Sequence, residues 1–318
     1  MDEFTGLIGR DRELESGLAT LRKGANLLIT GTAGVGKIAL LRGLFNAVKG
    51  EKVCLWVPQG AAKDQAYKLA LQVHEQLGLV VPESLVPKRH QVPARKHGVQ
   101  WKWIERSVRR MPAKECMNMV VDSLEAHSDQ VTVLAFFEAL EMPPTQAEQF
   151  VRILEIAQVA ACMDDTNRRV RIQRILWQFP EQERIALKPL PQEACRQIAE
   201  QWLKQFPVRF DSDRTRAAFL RAVEQDSGGM PVAIRGMLES AAIEPEVTRA
   251  TVRGFVHEAG INYVDMTPVV ILLAAVIMAA RYVGRGIGNV ELTLLAGIGM
   301  GLLLVIRFFI MPLMMKGR

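Results

Sequence analysis

Apolar positions along this chain follow two periods that alternate. Residues 10–23 place Leu14, Leu18 and Leu21 on one helical face. Short apolar runs follow at Asn26–Thr30, Val53–Val57, Val131–Phe137, Gln158–Met163 and Arg184–Lys188, and each predicts a buried strand. Helical patterns lie between them: Leu40, Leu41, Leu44 and Phe45 after the first run, residues 64–77 after the second, and a segment from Thr145 after the third. Strands alternating with helices predict an α/β fold, a parallel sheet flanked by helices. Residues 191–259 hold only helical patterns, starting near Gln192, Ser212, Pro231 and Pro245, and predict an all-α lid.

The pattern changes again after Asp265. Thr267–Val283 is apolar except for Arg281, and Leu292–Met315 is apolar except for Arg307. Two such runs joined by a short Gly/Arg loop predict a pair of transmembrane helices, at about 267–283 and 292–313. The expected organisation is therefore a body over 1–190, a lid over 191–260 and a hairpin over 266–315.

Composition sharpens this division. Hydrophobic residues make up 49% of the 318, concentrated in the tail. The N-terminal segment MDEFTGLIGRDREL is acidic and lacks the apolar core of a signal peptide. Arg307, Lys316 and Arg318 weight the C-terminal end positively. The expectation is an integral membrane protein whose body faces the cytoplasm. Gly297, Gly299 and Gly301 give one predicted helix a small-residue face for packing in the hairpin or against a protein partner or second copy. Cys54, Cys116, Cys162 and Cys195 are far apart and read as core residues, not as a disulfide frame or zinc site.

Net charge is +6, and the basic excess concentrates in an insert at about 87–114. Nine Lys/Arg stand there against Glu105 alone between Lys88 and Lys114. Trp101, Ile104, Val108 and Met111 recur at helical spacing, opposite Lys102, Arg106, Arg109 and Arg110. The first reading is a surface helix packing its stripe on the domain. Contact with an anionic membrane ranks second, and nucleic acid is not an expected partner.

The strongest chemical signal follows the first strand: Gly31-Thr32-Ala33-Gly34-Val35-Gly36-Lys37. Glycines there let successive backbone N–H groups point inward as an anion nest. The helix that follows adds its positive N-terminal end, and Lys37 reaches terminal phosphates. With a strand before and a helix after, this reads as a nucleotide phosphate loop; ATP or ADP is the expected ligand, and the motif leaves GTP open. Its last position departs from the pattern, because Ile38 stands where a Ser or Thr hydroxyl holds Mg²⁺.

Further residues carry a resemblance. Ile8-Gly9-Arg10-Asp11-Arg12-Glu13-Leu14 resembles the start of STAND and Orc/Cdc6-like AAA+ ATPases, and Gly228-Gly229-Met230-Pro231 resembles their lid motif. The resemblance covers roughly residues 6–245. It implies that Gly9 and Arg10 lie close to the adenine base, and that Pro231 or Arg235 approaches the nucleotide. It also implies an acidic pair ending the third strand, where this chain has Phe136-Phe137-Glu138. Phe137 then occupies the metal-binding position and Glu138 the catalytic one. Met119–Asp122 and Val159–Asp165 are rival acidic ends, ranked lower because the first fits a helical stripe and the second is fourth in strand order, a sensor position. Arg168 and Arg169 fall roughly where the family senses the γ-phosphate, but read more simply as a solvated helix face. With both metal positions substituted, the expectation is nucleotide binding with weak or absent hydrolysis. The expected role is a switch or assembly factor. An active remodelling ATPase, a membrane effector and a structural subunit are the alternatives.

Overall fold

A computed structural model describes residues 7–140, 144–165, 175–255 and 267–288, with 290, 291, 294, 295 and 298 beyond them. The chain divides into two compact units, 1–261 and 262–318.

In the first unit, α1 (Asp11–Arg22) leads into β1 (Leu27–Gly31), and α2 (Lys37–Val48) into β2 (Val53–Val57). Four helices follow: α3 (Ala62–Gln76), α4 (Lys88–His97), α5 (Trp101–Arg110) and α6 (Ala113–His127). Then come β3 (Val133–Phe137), α7 (Pro144–Ile156), β4 (Gln158–Asp164) and β5 (Arg184–Ala186). The five strands are parallel in the order β2-β3-β4-β1-β5. The run Met119–Asp122 lies within α6, as its helical stripe predicts.

Side chains of a strand alternate between faces, and that alternation splits the core in two. Leu27, Ile29, Leu134, Phe136, Ala160 and Cys162 join α2 residues Leu40, Leu41 and Leu44 on one face. Leu28, Leu55, Ala135, Phe137, Val159 and Ala161 join residues of α3, α6 and α7 on the other. Both clusters are almost wholly buried, which at about 1.5–3 kcal/mol per large aliphatic side chain drives formation of the sheet layer.

The basic insert forms two helices, α4 and α5. Ile104 and Val108 of α5 are buried in the core, and Trp101 packs against Tyr67 and His74 of α3, with ring centroids 5.6 and 5.5 Å away. Burial holds His74 below its ordinary pKa, toward the neutral ring. The apolar stripe is thus used inside the domain, while Lys102, Arg106, Arg109 and Arg110 remain exposed.

The lid follows as α8 (Gln192–Gln205), α9 (Asp213–Asp226), α10 (Pro231–Ile243) and the short α11 (Arg249–Val252). Ser212 and Thr248 accept hydrogen bonds from the backbone N–H groups of Thr215 and Thr251, capping α9 and α11. The last helix therefore starts at Arg249, later than the Pro245 expected from sequence. Cys195, Ala199, Phe219, Val223, Ile234 and Met237 form the lid's own core. All four cysteines of the chain are buried and free.

In the second unit, α12 (Thr267–Ile287) coincides with the first predicted span. Most of the second predicted span, 292–313, lies outside the described residues. Among the described residues, no helix is long and apolar enough to cross a membrane.

Candidate functional site

The phosphate loop is built by the end of β1 and the start of α2. Gly31, Gly34 and Gly36 adopt φ of 152°, 80° and 100°, conformations that L side chains rarely take. Gly36 caps α2 in the left-handed region, and no side chain closes the cap. The first turn of α2 contains no acid. Its first N–H groups are therefore left for an anion.

Lys37 opens α2 and folds back over the loop. Its ammonium donates to the carbonyls of Gly31 and Thr32, at 2.8 Å each, and to Asp164 Oδ1 at 2.5 Å. Asp164 ends β4 directly beside Gly31 in the strand register. Behind it, Cys162 is buried, and desolvation pushes its thiol up to about 12, so it stays protonated as part of the cavity floor.

Glu138 follows β3 on the same side. Its carboxylate accepts from Trp56 Nε1 at 3.2 Å and from the Gln59 N–H at 2.9 Å, and Arg42 lies 3.7 Å away. Phe137, one residue earlier, points the other way. It is 2% exposed and meets Phe150 edge-on at 4.9 Å. The pleat explains this: adjacent residues of a strand face opposite sides. The side chain at 137 belongs to the far core, and only 136 and 138 face α2. Ile38 lines the cavity with an aliphatic chain. The residues at the two expected Mg²⁺ positions therefore do not fit a protein-held metal: one is aliphatic and the other faces away.

A cavity of about 1110 Å³ joins these groups to the lid. Ala33, Gly34, Gly36, Lys37, Ile38, Arg42, Glu138 and Asp164 line it, and Pro231, Val232 and Arg235 face them from α10. The contact between loop and lid is direct. Val232 N–H donates to the Gly34 carbonyl at 3.4 Å. A Cβ on Gly34 would meet Val232 at 2.9 Å, and one on Gly36 would meet Pro231 at 3.5 Å. Gly228 and Gly229, with φ of 59° and 75°, turn the chain into α10 at this point. Pro231 begins the helix at a position where no backbone donor is needed. Arg235 is paired with Glu239 at 2.7 Å.

Gly9 and Arg10 sit outside the cavity lining. Arg10 is buried, and its guanidinium donates to the Val35 and Lys188 carbonyls at 3.1 and 2.7 Å and to Glu13 at 3.0 Å. It ties the phosphate loop to the segment entering the lid, which accounts for the spacing of Arg10 and Glu13 without a ligand. Gly9 packs against Ala194 of α8, where a Cβ would come within 2.7 Å. The carbonyls of Gly31, Thr32 and Val35 are taken by Lys37 and Arg10. Arg168 and Arg169 lie outside the described residues.

Residues unremarked in the sequence complete the other end of the cavity. Leu7, Gly43 and Asn46 line it from the first domain, and Ile198, Trp202, Gln205, Phe206 and Leu238 from the lid. Trp202 and Phe206 stand with ring centroids 5.0 Å apart. They stand one turn apart at the C-terminal end of α8, and the fold places both on this cavity.

The comparisons with known proteins agree with this geometry. The sequence profile of the family described as Novel STAND NTPase 1 matches residues 4–258, most of the chain. The chain belongs to the novel STAND NTPase 1 family. Comparison with curated proteins gives no matching relative. Among solved structures, the fold is similar to that of Orc1 from Aeropyrum pernix, solved in complex with DNA. That match has 16% identity and a TM-score of 0.50, and covers 87% of this chain and 72% of the other. Cdc6p from Pyrobaculum aerophilum matches at 11% identity and a TM-score of 0.49, over 94% and 80% of the two chains. This novel STAND NTPase has a P-loop NTPase fold, a parallel sheet flanked by helices that resembles the fold of the Orc1 structure.

Proposed function

We propose that this chain is a nucleotide-dependent switch that binds ATP or ADP between sheet and lid and turns it over weakly or not at all. The observation that carries the reading is the hydrogen bond and packing of Pro231 and Val232 on Gly34 and Gly36. A polyphosphate in the nest lies against the first turn of α10, so occupancy is felt by the lid. Backbone amides, the α2 terminus and Lys37 supply the anion binding. The Trp202–Phe206 end offers an apolar place for the base. Weak turnover is supported by Ile38 and by Glu138, both of whose carboxylate oxygens already accept hydrogen bonds.

The test is direct. Lys37→Ala is expected to weaken ATP binding by about 100-fold, roughly 2.7 kcal/mol, measured by calorimetry. Hydrogen exchange of α10 is expected to slow with ATP in the wild type and not in the variant. Robust hydrolysis by the wild type that Lys37→Ala abolishes would instead favour an active ATPase.

The reading includes anchoring by the C-terminal segment and a protein partner or second copy that reads the lid. Its support is the apolar run from Thr267 and the exposure of Leu272, Val276, Met278, Val283 and Ile287 on α12. In cell fractionation, the full chain is expected with the membranes and a chain ending at residue 261 in the soluble fraction. A full-length chain that partitions as the truncated one does removes the anchor.

A further inference from the structure

An ammonium has three N–H donors, and Lys37 has spent all of them inside the protein. Two go to the backbone carbonyls of Gly31 and Thr32, and the third to Asp164. The side chain of Lys37 is only 10% exposed, whereas that of Asp164 is 38% exposed. A phosphate reaching for Lys37 must therefore displace an existing partner. The carbonyls belong to the loop itself, and the Gly31 carbonyl also accepts from the Asp165 N–H. The carboxylate is on a side chain that can turn toward the open cavity. Once displaced, it keeps its negative charge beside the arriving polyphosphate.

The surroundings leave that charge little relief. Arg42 is close to Glu138, and Arg235 is paired with Glu239. The cavity offers no hydroxyl at position 38 and no acid at 137. Asp164 is thus the carboxylate whose charge changes partners when the loop fills.

We infer that Asp164 is a specificity-setting residue of the site, a competitor for Lys37 that must be neutralised before a polyphosphate binds. The inference rests on the nucleotide reading and adds to it the dependence of binding on charge. A divalent cation brought by the nucleotide lowers the repulsion from the displaced carboxylate. A neutral amide at 164 removes the repulsion and loosens the hold on Lys37 from an ion pair to a neutral hydrogen bond.

The experiment measures ATP and ADP binding to the full chain in detergent, by calorimetry and by intrinsic tryptophan fluorescence, in EDTA and in Mg²⁺. The proteins are the wild type, Asp164→Asn, Asp164→Ser and Lys37→Ala, each checked for an unchanged melting profile. In EDTA, Asp164→Asn is expected to bind ATP about 10-fold more tightly than the wild type, one decade of affinity. The gain for ADP is expected to be smaller, because its charge is lower. Mg²⁺ is expected to strengthen wild-type binding more than binding to Asp164→Asn. A residue that merely supports the fold would give weaker binding in both Asp164 variants. Equal or weaker binding by both, with Lys37→Ala still defective, overturns the role of Asp164 and leaves the nucleotide reading in place. Absence of binding by every protein, in both buffers, overturns the two together.

Discussion

Replacing Phe137 by Asp is expected to unfold the sheet domain, not to restore a metal ligand. The motif places an acid at this position, but the pleat turns it into the core beneath α3, α6 and α7. Phe137 is 2% exposed there and makes an edge-to-face contact with Phe150. Removing a buried phenyl ring costs about 3–5 kcal/mol, and a carboxylate buried without a partner adds to that cost. The sum approaches the roughly 5–15 kcal/mol that holds a typical domain together. Circular dichroism should show Phe137→Asp without a cooperative transition, or with one lowered by tens of degrees. Ile38→Thr, which changes a residue lining the open cavity, should melt close to the wild type. A Phe137→Asp protein that melts normally and gains Mg²⁺-dependent hydrolysis would show that the register of β3 is shifted by one residue.

Gly229→Ala is expected to dislodge the lid from the loop. Gly229 has φ of +75°, and a Cβ there would lie 2.4 Å from the Leu190 carbonyl oxygen and 2.9 Å from its nitrogen. The Leu190 N–H also donates to the Gly229 carbonyl oxygen at 2.8 Å, which fixes the two backbones against each other. Two effects combine, strain in the backbone and collision with a backbone that cannot yield. Gly78→Ala separates them, because Gly78 has φ of +86° with nothing within 4 Å of the added carbon. Strain alone predicts a loss of about 1–2 kcal/mol for Gly78→Ala. Gly229→Ala should lose at least twice as much in denaturant unfolding, with faster hydrogen exchange concentrated in α8 and α10. Equal losses for the two variants would mean that the turn relaxes easily and that the lid is not held by this contact.

These two positions show how far the chain could be read before folding. The five strands, the phosphate loop and the start of α10 at Pro231 were all legible, because each is announced by local chemistry: an apolar run, a glycine pattern, a proline at a helix start. Phe137 was not, because Phe136-Phe137 is apolar on both sides and gives no clue to which ring faces α2. A motif counted by position ignores the pleat, and the pleat decides. The resemblance implies a place for Arg10 close to the base, but its partners within the protein include the Lys188 carbonyl, 178 positions along the chain, a distance no local pattern can bridge. The ion pair of Lys37 with Asp164, 127 positions apart, shares that difficulty, and so does the place of Trp202 and Phe206 on the cavity. Their neighbours are set by strand order and by the lid folding back, and neither leaves a mark in the adjacent residues.

The buried guanidinium of Arg10 has a mechanical consequence. It grips the phosphate loop at Val35 with the same terminal nitrogen that grips Lys188, three residues before the first lid helix begins its turn at Pro191. A lever moves its load only if its fulcrum stays still. With the near end of the lid pinned to the loop's own frame, a displacement imposed at Pro231 and Val232 would have to be taken up inside the lid.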